Sequence, residues 1–214
     1  MSDGPIQAGE RLNALLMTEG LAPLDPAQAA KFELYLSLIL RWNSSVNLTA
    51  IRDEESILRR HFVESIHCAR ALPAGVGTVL DFGSGAGFPG IPIALCRPEI
   101  AVTLAESNGK KAAFLQEARR VLGVAAKVHS GRAEALRTEF DCVTLRAVDR
   151  MESAVHAAAR LVRPGGWLAL MTTGKDLDAL KKAAGVQFSW AHPVVLLRGE
   201  DRLLALGERI SLPA

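Results

Sequence analysis

The feature that most constrains the fold of this chain is a run of small residues that directly follows a short apolar stretch. Residues 81–87, with the sequence Asp-Phe-Gly-Ser-Gly-Ala-Gly, come straight after Val79 and Leu80. Glycine adopts positive φ angles that other residues avoid, and it lets the main chain approach a ligand closely. A strand that leads into a glycine-rich loop and then a helix is typical of nucleotide-binding α/β folds. We therefore predict a parallel sheet with this loop at its edge.

The chain after this loop alternates short apolar runs with segments of helical periodicity. Asp149 and Glu152 have the spacing of a capping box at a helix start, and Pro164-Gly165-Gly166 predicts a turn. The pattern predicts a doubly wound, mostly parallel α/β sheet that ends in an antiparallel hairpin. The predicted strands begin at Val79 and continue at residues 100–105, 125–128, 142–145 and 167–171, the helices include 149–162 and 177–184, and the hairpin strands are 194–197 and 203–206.

Residues 1–75 have a different pattern, which predicts helices without strands. Asp25 followed by Pro26 is a typical helix start, and Asp53 precedes two glutamates that favour the first turn of a second helix. The proline and glycines of residues 73–77 then break the pattern. We predict a helical N-terminal cap over residues 1–75 and an α/β domain over residues 76–214.

Polar residues follow several predicted strands at the point where each strand ends. Asp81 and Gly83 end the first, Glu106 the second, and Arg146 the fourth, while Ala133 and Glu134 follow the third. Ligands of open α/β sheets bind outside the carboxyl ends of the strands. One crevice is therefore expected to collect these residues.

The loop also fits the G-x-G-x-x-G pattern from Gly85 to Gly90, which occurs at NAD and S-adenosylmethionine sites alike. A carboxylate at Asp81 would repel a pyrophosphate, and Pro89 removes a backbone donor that a pyrophosphate would use. S-adenosylmethionine carries cationic ammonium and sulfonium groups, which an acid favours. Glu106 lies about twenty residues on, where it is expected to bind the ribose hydroxyls. We predict S-adenosylmethionine as cofactor, with an NAD-dependent oxidoreductase as the alternative.

Three candidate residues keep more than one interpretation. The Glu134 side chain lies near an adenine or is a solvated acid at a helix start, and the backbone of Ala133 and Glu134 is the preferred adenine contact. Arg146 ends an apolar strand, where an unpaired charge is costly. Its partner is the methionine moiety, an RNA phosphate, or a salt bridge to Asp149 or Asp141. His61 is a surface histidine or a contact to RNA.

Composition excludes other classes of protein. The apolar runs are far shorter than a membrane span, and the N-terminus lacks the features of a secretory signal, so a cytoplasmic protein is expected. Three widely spaced cysteines argue against both disulfides and zinc, and no metal is predicted. The net charge of +2 among 214 residues is small for a protein that binds free nucleic acid.

With these residues in view, the chain resembles the bacterial small-subunit ribosomal RNA guanine-N7 methyltransferases, the glucose-inhibited division protein B family. The resemblance covers residues 30–210, and its most specific part is the extension Gly-Phe-Pro-Gly-Ile-Pro at residues 87–92. The resemblance implies a Rossmann-like class I S-adenosylmethionine-dependent methyltransferase fold behind the helical N-terminal cap. It also implies methylation of one guanine in the 530 loop of 16S ribosomal RNA, within the small subunit or its precursor. The other matching segments are residues 42–49, 60–65, 81–87, 106–111, 131–134 and 145–147.

Site residues are predicted for both the cofactor and the RNA. The resemblance gives cofactor contacts at Gly83, Phe88, Ala133, Glu134 and Arg146, with Glu106 as the ribose acid, and the loop itself adds Asp81 and Gly85. Arg146 is the predicted catalytic residue, and Arg60, His61 and Lys175 are the predicted RNA contacts, in a monomer that binds no membrane. A non-catalytic RNA-binding assembly factor with the same fold is a further alternative.

Three positions depart from the family pattern. The family usually has Asp where Glu64 stands and Ser where Thr144 stands. It has Lys-Gly after the fifth strand, where this chain has Thr172-Thr173-Gly174-Lys175. Substrate handling is therefore less well defined than cofactor binding.

Overall fold

The computed structural model describes residues 7–210, and its framework is a mixed sheet in the order β3-β2-β1-β4-β5-β8-β6. The first five strands are parallel, whereas β8 runs antiparallel between β5 and β6. The predicted fold class is confirmed. The strands are β1 Thr78–Phe82, β2 Ala101–Glu106, β3 Lys127–Ser130, β4 Phe140–Arg146, β5 Val162–Thr172, β6 Phe188–Trp190, β7 Val194–Val195 and β8 Leu203–Arg209.

Helices precede the sheet and connect its strands. Asp25 accepts a hydrogen bond from the Gln28 amide, and Asp53 accepts one from the Ser56 amide, so both predicted caps are present. Within residues 7–210, no helix has the length and apolarity needed to cross a membrane. The helices are α1 Ala8–Thr18, α2 Pro26–Asn43, α3 Glu54–Ile57, α4 Glu64–Ala71, α5 Gly90–Cys96, α6 Gly109–Val121, α7 Met151–Ala159 and α8 Gly174–Ala184, with a π-helical turn at Leu58–Val63 and a 3-10 turn at Ala133–Ala135.

The region around β5 differs from its prediction. α7 begins after Arg150, whose φ is 50°, and no side chain caps it, so the predicted capping box of Asp149 is wrong. The helix ends at Ala159, and residues 164–166 lie inside β5 instead of forming a turn. The pairing of β4 with β5 is irregular here, and a Cβ on Gly166 would lie 2.8 Å from the Asp141 carbonyl. Glycine is therefore needed at position 166 because β4 and β5 approach each other closely there.

The bounds of other strands also differ from their predictions. β3 begins two residues later than predicted, and β6 was not predicted. The predicted C-terminal pairing is present, with Val194 opposite Leu204, but β8 extends to Arg209 and inserts into the main sheet. The longer strand gives the sheet its antiparallel edge.

The N-terminal helices share a hydrophobic core with the sheet. Phe62 is fully buried, and its ring centroid lies 5.3 Å from those of Phe32 and Tyr35 and 5.7 Å from that of Phe88. Trp42 also donates a hydrogen bond from Nε1 to Glu117 on α6. These contacts place residues from both predicted regions in one core; the division at residue 75 stays a prediction.

We expect Phe62→Ala to lower the free energy of unfolding by about 3–5 kcal/mol, because the cavity would open in the shared core. Urea denaturation followed by circular dichroism measures this change. Leu34→Ala on α2 is the matched control: Leu34 is 41% exposed, so its cost should stay within about 0.5 kcal/mol. Two separate unfolding transitions in the parent chain would contradict a shared core.

Candidate functional site

A cleft of about 1150 Å³ opens at the carboxyl ends of the central strands. The loop after β1, the end of β2, the end of β4 and the N-terminal helical region all contribute to its walls. Ligands of open α/β sheets bind at this edge. The predicted site residues that line it are Arg60, His61, Gly83, Gly85, Phe88, Glu106 and Arg146.

Hydrogen bonds and close contacts with the end of β2 and with α2 fix the shape of the glycine loop. Gly83, Gly85 and Gly87 all have positive φ. The amides of Gly83 and Ser84 donate to the Ala105 carbonyl at 3.0 and 2.9 Å. A Cβ on Gly87 would lie 2.7 Å from the Tyr35 hydroxyl oxygen, and that hydroxyl donates to the carbonyl of the preceding residue. The loop therefore presents its backbone to the cleft in a preorganised form.

Asp81 lies beneath the loop and does not line the cleft. Its Oδ2 accepts a hydrogen bond from the Gly90 amide at 3.1 Å, and its Oδ1 accepts one from Thr144 Oγ1 at 3.1 Å. The side chain is 1% exposed, and burial raises its pKa to about 6. Side chains alternate along a strand, so this one points to the face that α5 covers. The sequence predicted that this carboxylate lies near the cationic groups of a ligand. In the structure it instead holds the loop in place through hydrogen bonds.

Glu106 occupies the position expected of a ribose-binding acid. It is 8% exposed and lines the cleft at the end of β2. Its Oε2 accepts the Gly85 amide at 2.9 Å, and its Oε1 accepts the Asn108 amide at 2.7 Å. Each carboxylate oxygen has a second lone pair, which is available to a ligand hydroxyl. The two amides therefore orient an acceptor toward the cleft.

Besides Asp81, three predicted residues lie outside the cleft lining. Ala133 is buried in the 3-10 turn after β3, and Glu134 is exposed beside a separate depression of about 600 Å³. Lys175 is exposed in the first turn of α8. The structure does not bring these side chains together with Glu106 and Arg146, and their roles stay predictions.

Arg146 forms its ion pair with a residue that the sequence did not suggest. Its Nη2 lies 2.8 Å from Oε2 of Glu64 and also donates to the Arg60 carbonyl. The predicted partners Asp141 and Asp149 do not pair with it, because Asp141 binds Arg163 at the opposite end of β4. The one signal for Glu64 was an acid within a segment of buried helical periodicity. The N-terminal helical region thus supplies the counter-ion for the strand end.

His61 is a half-buried part of the cleft wall. Its ring stacks on Phe88 with centroids 4.7 Å apart, and its Nε2 lies 2.7 Å from Thr49 Oγ1. Burial, with a further contribution from the Arg146 charge, lowers its pKa to about 3. The imidazole is therefore neutral at pH 7. It lies in the π-helical turn Leu58–Val63, a kind of irregularity that is common at functional sites.

Within the described chain, residues 7–210, no cluster of His, Cys, Asp and Glu side chains has the arrangement of a metal site. The polar groups that face the cleft are instead backbone amides, carboxylates and guanidinium groups. Such groups bind hydroxyl, carboxylate and cationic parts of an organic ligand.

We expect the stability difference between the parent chain and Asp81→Asn to depend on pH. The folded pKa of about 6 lies above the unfolded value of about 3.9. The stability from this group is therefore present below pH 4 and lost as pH rises through 6. The free energy of unfolding of the parent minus that of the variant should fall by about 2–3 kcal/mol between pH 4 and pH 7.

Urea titrations of both proteins at four pH values test this, with the exposed Asp178→Asn as control for general charge effects. A constant difference between the parent and Asp81→Asn would show that the buried carboxyl does not titrate in this range.

Comparison with solved structures shows the methyltransferase fold. A ribosomal protein L11 methylase from Lactobacillus delbrueckii subsp. bulgaricus aligns with a TM-score of 0.59 at 12% identity, over 72% of this chain and 80% of that one. A SAM-dependent methyltransferase from Aquifex aeolicus aligns with a TM-score of 0.57 at 16% identity, over 72% and 93% of the two chains. At these identities the likeness concerns the fold alone.

Comparison of the sequence is more specific. The chain is 40% identical to ribosomal RNA small subunit methyltransferase G of Xanthomonas euvesicatoria pv. vesicatoria, over 86% of this chain and 88% of that protein. It is 43% identical to the protein of the same name from Stenotrophomonas maltophilia, over 80% and 81% of the two chains. The family model described as rRNA small subunit methyltransferase G matches residues 28–198. With the loop, Glu106 and Arg146 assembled around one cleft, the chain belongs to the rRNA small subunit methyltransferase G family.

Proposed function

We propose that this enzyme, an S-adenosylmethionine-dependent rRNA methyltransferase, transfers the methyl group to N7 of a guanine in the 530 loop of 16S rRNA. The observation that carries the proposal is the convergence of the loop at residues 83–88, Glu106 and Arg146 on one cleft in a chain of this family. The family supports methyl transfer to rRNA of the small subunit; the atom and the loop are inferred from the resemblance.

The cleft fits S-adenosylmethionine better than a dinucleotide. The Gly90 amide, the first donor of α5, is already taken by Asp81, and the Ile91 amide donates to the Gly87 carbonyl. Pro89 has no amide proton. A pyrophosphate would need free amides at this helix start, so the NAD-dependent oxidoreductase has no support from the geometry. The Gly83–Gly85 backbone and Glu106 would hold the methionine and ribose parts, while S-adenosylmethionine supplies an electrophilic methyl group.

The acceptor atom explains why the cleft needs no general base. N7 of guanine has an in-plane lone pair and no proton to lose, so the protein has to align the base and exclude water. His61 is neutral at pH 7 because burial lowers its pKa, and it serves as a wall of the cleft. Arg146, held by Glu64, is the proposed catalytic residue that orients the reacting groups.

The RNA side of the proposal rests on cations around the opening. Arg60, Lys111 and Arg150 line the cleft, and no ion pair within residues 7–210 involves them. They are placed to meet phosphates, and Lys175 remains a more distant candidate. Because the net charge is only +2, we propose that the monomeric enzyme acts on the small subunit or its precursor, where ribosomal proteins share recognition.

We expect transfer of tritium from labelled S-adenosylmethionine into small ribosomal subunits that lack the modification, and at least about tenfold less into naked 16S RNA. The modified base is mapped by cleavage at N7-methylguanine. Label in another base would contradict the proposed target, and efficient labelling of naked RNA would contradict the particle as substrate. No transfer at all would favour the assembly-factor alternative.

We expect Glu106→Gln to weaken binding of S-adenosylhomocysteine by about 10- to 100-fold, because charge-assisted hydrogen bonds to the ribose hydroxyls are lost. Isothermal titration calorimetry measures the Kd, with NAD as the competing ligand and the exposed Glu10→Gln as matched control. Tight binding of NAD by the parent chain would contradict the assigned cofactor.

A further inference from the structure

Glu64 is a buried acid in the cleft wall that cofactor binding does not account for. The residue is 2% exposed, lies at the start of α4 and lines the cleft. Its Oε2 binds Arg146 Nη2 at 2.8 Å. Its Oε1 has no hydrogen-bond partner within residues 7–210, although it is buried. A buried carboxylate oxygen without a hydrogen bond is costly, so a partner is expected when the cleft is filled.

The pairing of Glu64 with Arg146 is not the arrangement of a purely structural ion pair. Arginine and carboxylate commonly form two parallel hydrogen bonds, which satisfy both carboxylate oxygens. Here Arg146 uses Nη2 for both Glu64 and the Arg60 carbonyl, and its own Nη1 is also buried without a partner among the described residues. This single contact leaves one acceptor on Glu64 and one donor on Arg146 without a hydrogen bond.

Positive charges favour the ionised form of Glu64. Burial raises its pKa, whereas the charges of Arg146 and Arg60 lower it. Arg202 Nε lies 3.8 Å from Oε1, beyond hydrogen-bond distance but close enough to attract it. Burial outweighs these charges, so the pKa of Glu64 is raised overall, and its Oε1 is a buried acceptor that lacks a hydrogen-bond donor within residues 7–210.

Guanine is the base whose exposed edge suits such an acceptor. Its Watson–Crick edge carries two adjacent donors, the N1 imino group and the exocyclic N2 amine. Adenine presents an acceptor at N1, which a carboxylate repels. Bases in unpaired RNA loops can be bound by this edge. Resting on the proposed function, we propose that Glu64 Oε1 accepts hydrogen bonds from N1 and N2 of the target guanine and thereby selects guanine for methylation.

This assignment leaves the reacting atom free. N7 belongs to the five-membered ring, on the edge of guanine opposite to the N2 amine. A base held at Glu64 by N1 and N2 therefore keeps its N7 lone pair uncovered. His61 and Phe88, which stack on each other in the same wall, offer flat surface beside the carboxylate.

The test is a double-mutant cycle between Glu64 and the N2 amine. The target guanine is replaced by inosine, which lacks only that amine, in 16S RNA that is ligated and reconstituted into small subunits. Methyl transfer is measured with both particles for the parent chain, Glu64→Gln, Glu64→Asp and the exposed Glu10→Gln control. In Glu64→Gln the amide oxygen is expected to face Arg146, so that the amide NH₂ replaces the free acceptor by a donor.

For the parent chain and the control, inosine should lower kcat/KM by about tenfold, which is the usual effect of one hydrogen bond to a charged group. Glu64→Gln should lower kcat/KM on guanine particles by at least about tenfold and shrink the inosine penalty to less than about twofold. Glu64→Asp keeps the carboxylate and should keep the penalty. The Kd of S-adenosylhomocysteine measures whether each variant retains its cofactor site.

An inosine penalty of less than twofold for the parent chain would overturn the proposal without any variant. An equal penalty in the parent and Glu64→Gln would also overturn it, since Glu64 would then act only through Arg146. If Glu64→Gln fails to bind S-adenosylhomocysteine, the deciding variant is Glu64→Asp. Loss of the inosine penalty in a Glu64→Asp protein that still binds S-adenosylhomocysteine would then overturn the proposal. Absence of methyl transfer to guanine particles by the parent chain is a different result, which contradicts the proposed function itself.

Discussion

The structure of the site depends on one buried carboxyl group, that of Asp81. It accepts hydrogen bonds from the first amide of α5 and from Thr144 on the neighbouring strand. A Cβ on Gly90 would lie 2.7 Å from its Oδ2, so only glycine allows the helix start to come this close. Because these contacts fix where β1 stops and α5 begins, they fix the path of the glycine loop between them. The acid in the motif therefore shapes the backbone that borders the cleft.

Two distant parts of the chain complete the cleft around that loop. The loop and Glu106 come from the sheet, whereas His61 and Glu64 come from the helical region. The ion pair between Glu64 and Arg146 joins the two parts, because it connects α4 with the end of β4. Removal of one partner of a buried pair is costly since the other charge stays buried. The ion pair therefore couples the two walls of the cleft directly.

Much of this arrangement could be predicted from local sequence pattern. The positive φ angles of the loop glycines, the helix caps at Asp25 and Asp53, and the position of Glu106 all follow from short-range rules. The partner of Arg146 could not be predicted, since 82 residues separate it from Glu64 and no local rule links them. The strand through residues 164–166 also escaped prediction, because its glycine is required by the neighbouring strand. Both features depend on contacts between residues that are far apart in the sequence.

The contact between Tyr35 and the loop has a consequence for how the chain is made. The Tyr35 hydroxyl on α2 supports the loop by donating to the Ala86 carbonyl, and the ring lies against Phe62 and Phe88. A ribosome delivers α1 to α4 before the strands that cover their apolar side, since synthesis runs from the N-terminus. During that interval the aromatic side chains have no sheet to pack against. The nascent helical segment therefore exposes these aromatic side chains until β1 and α5 emerge.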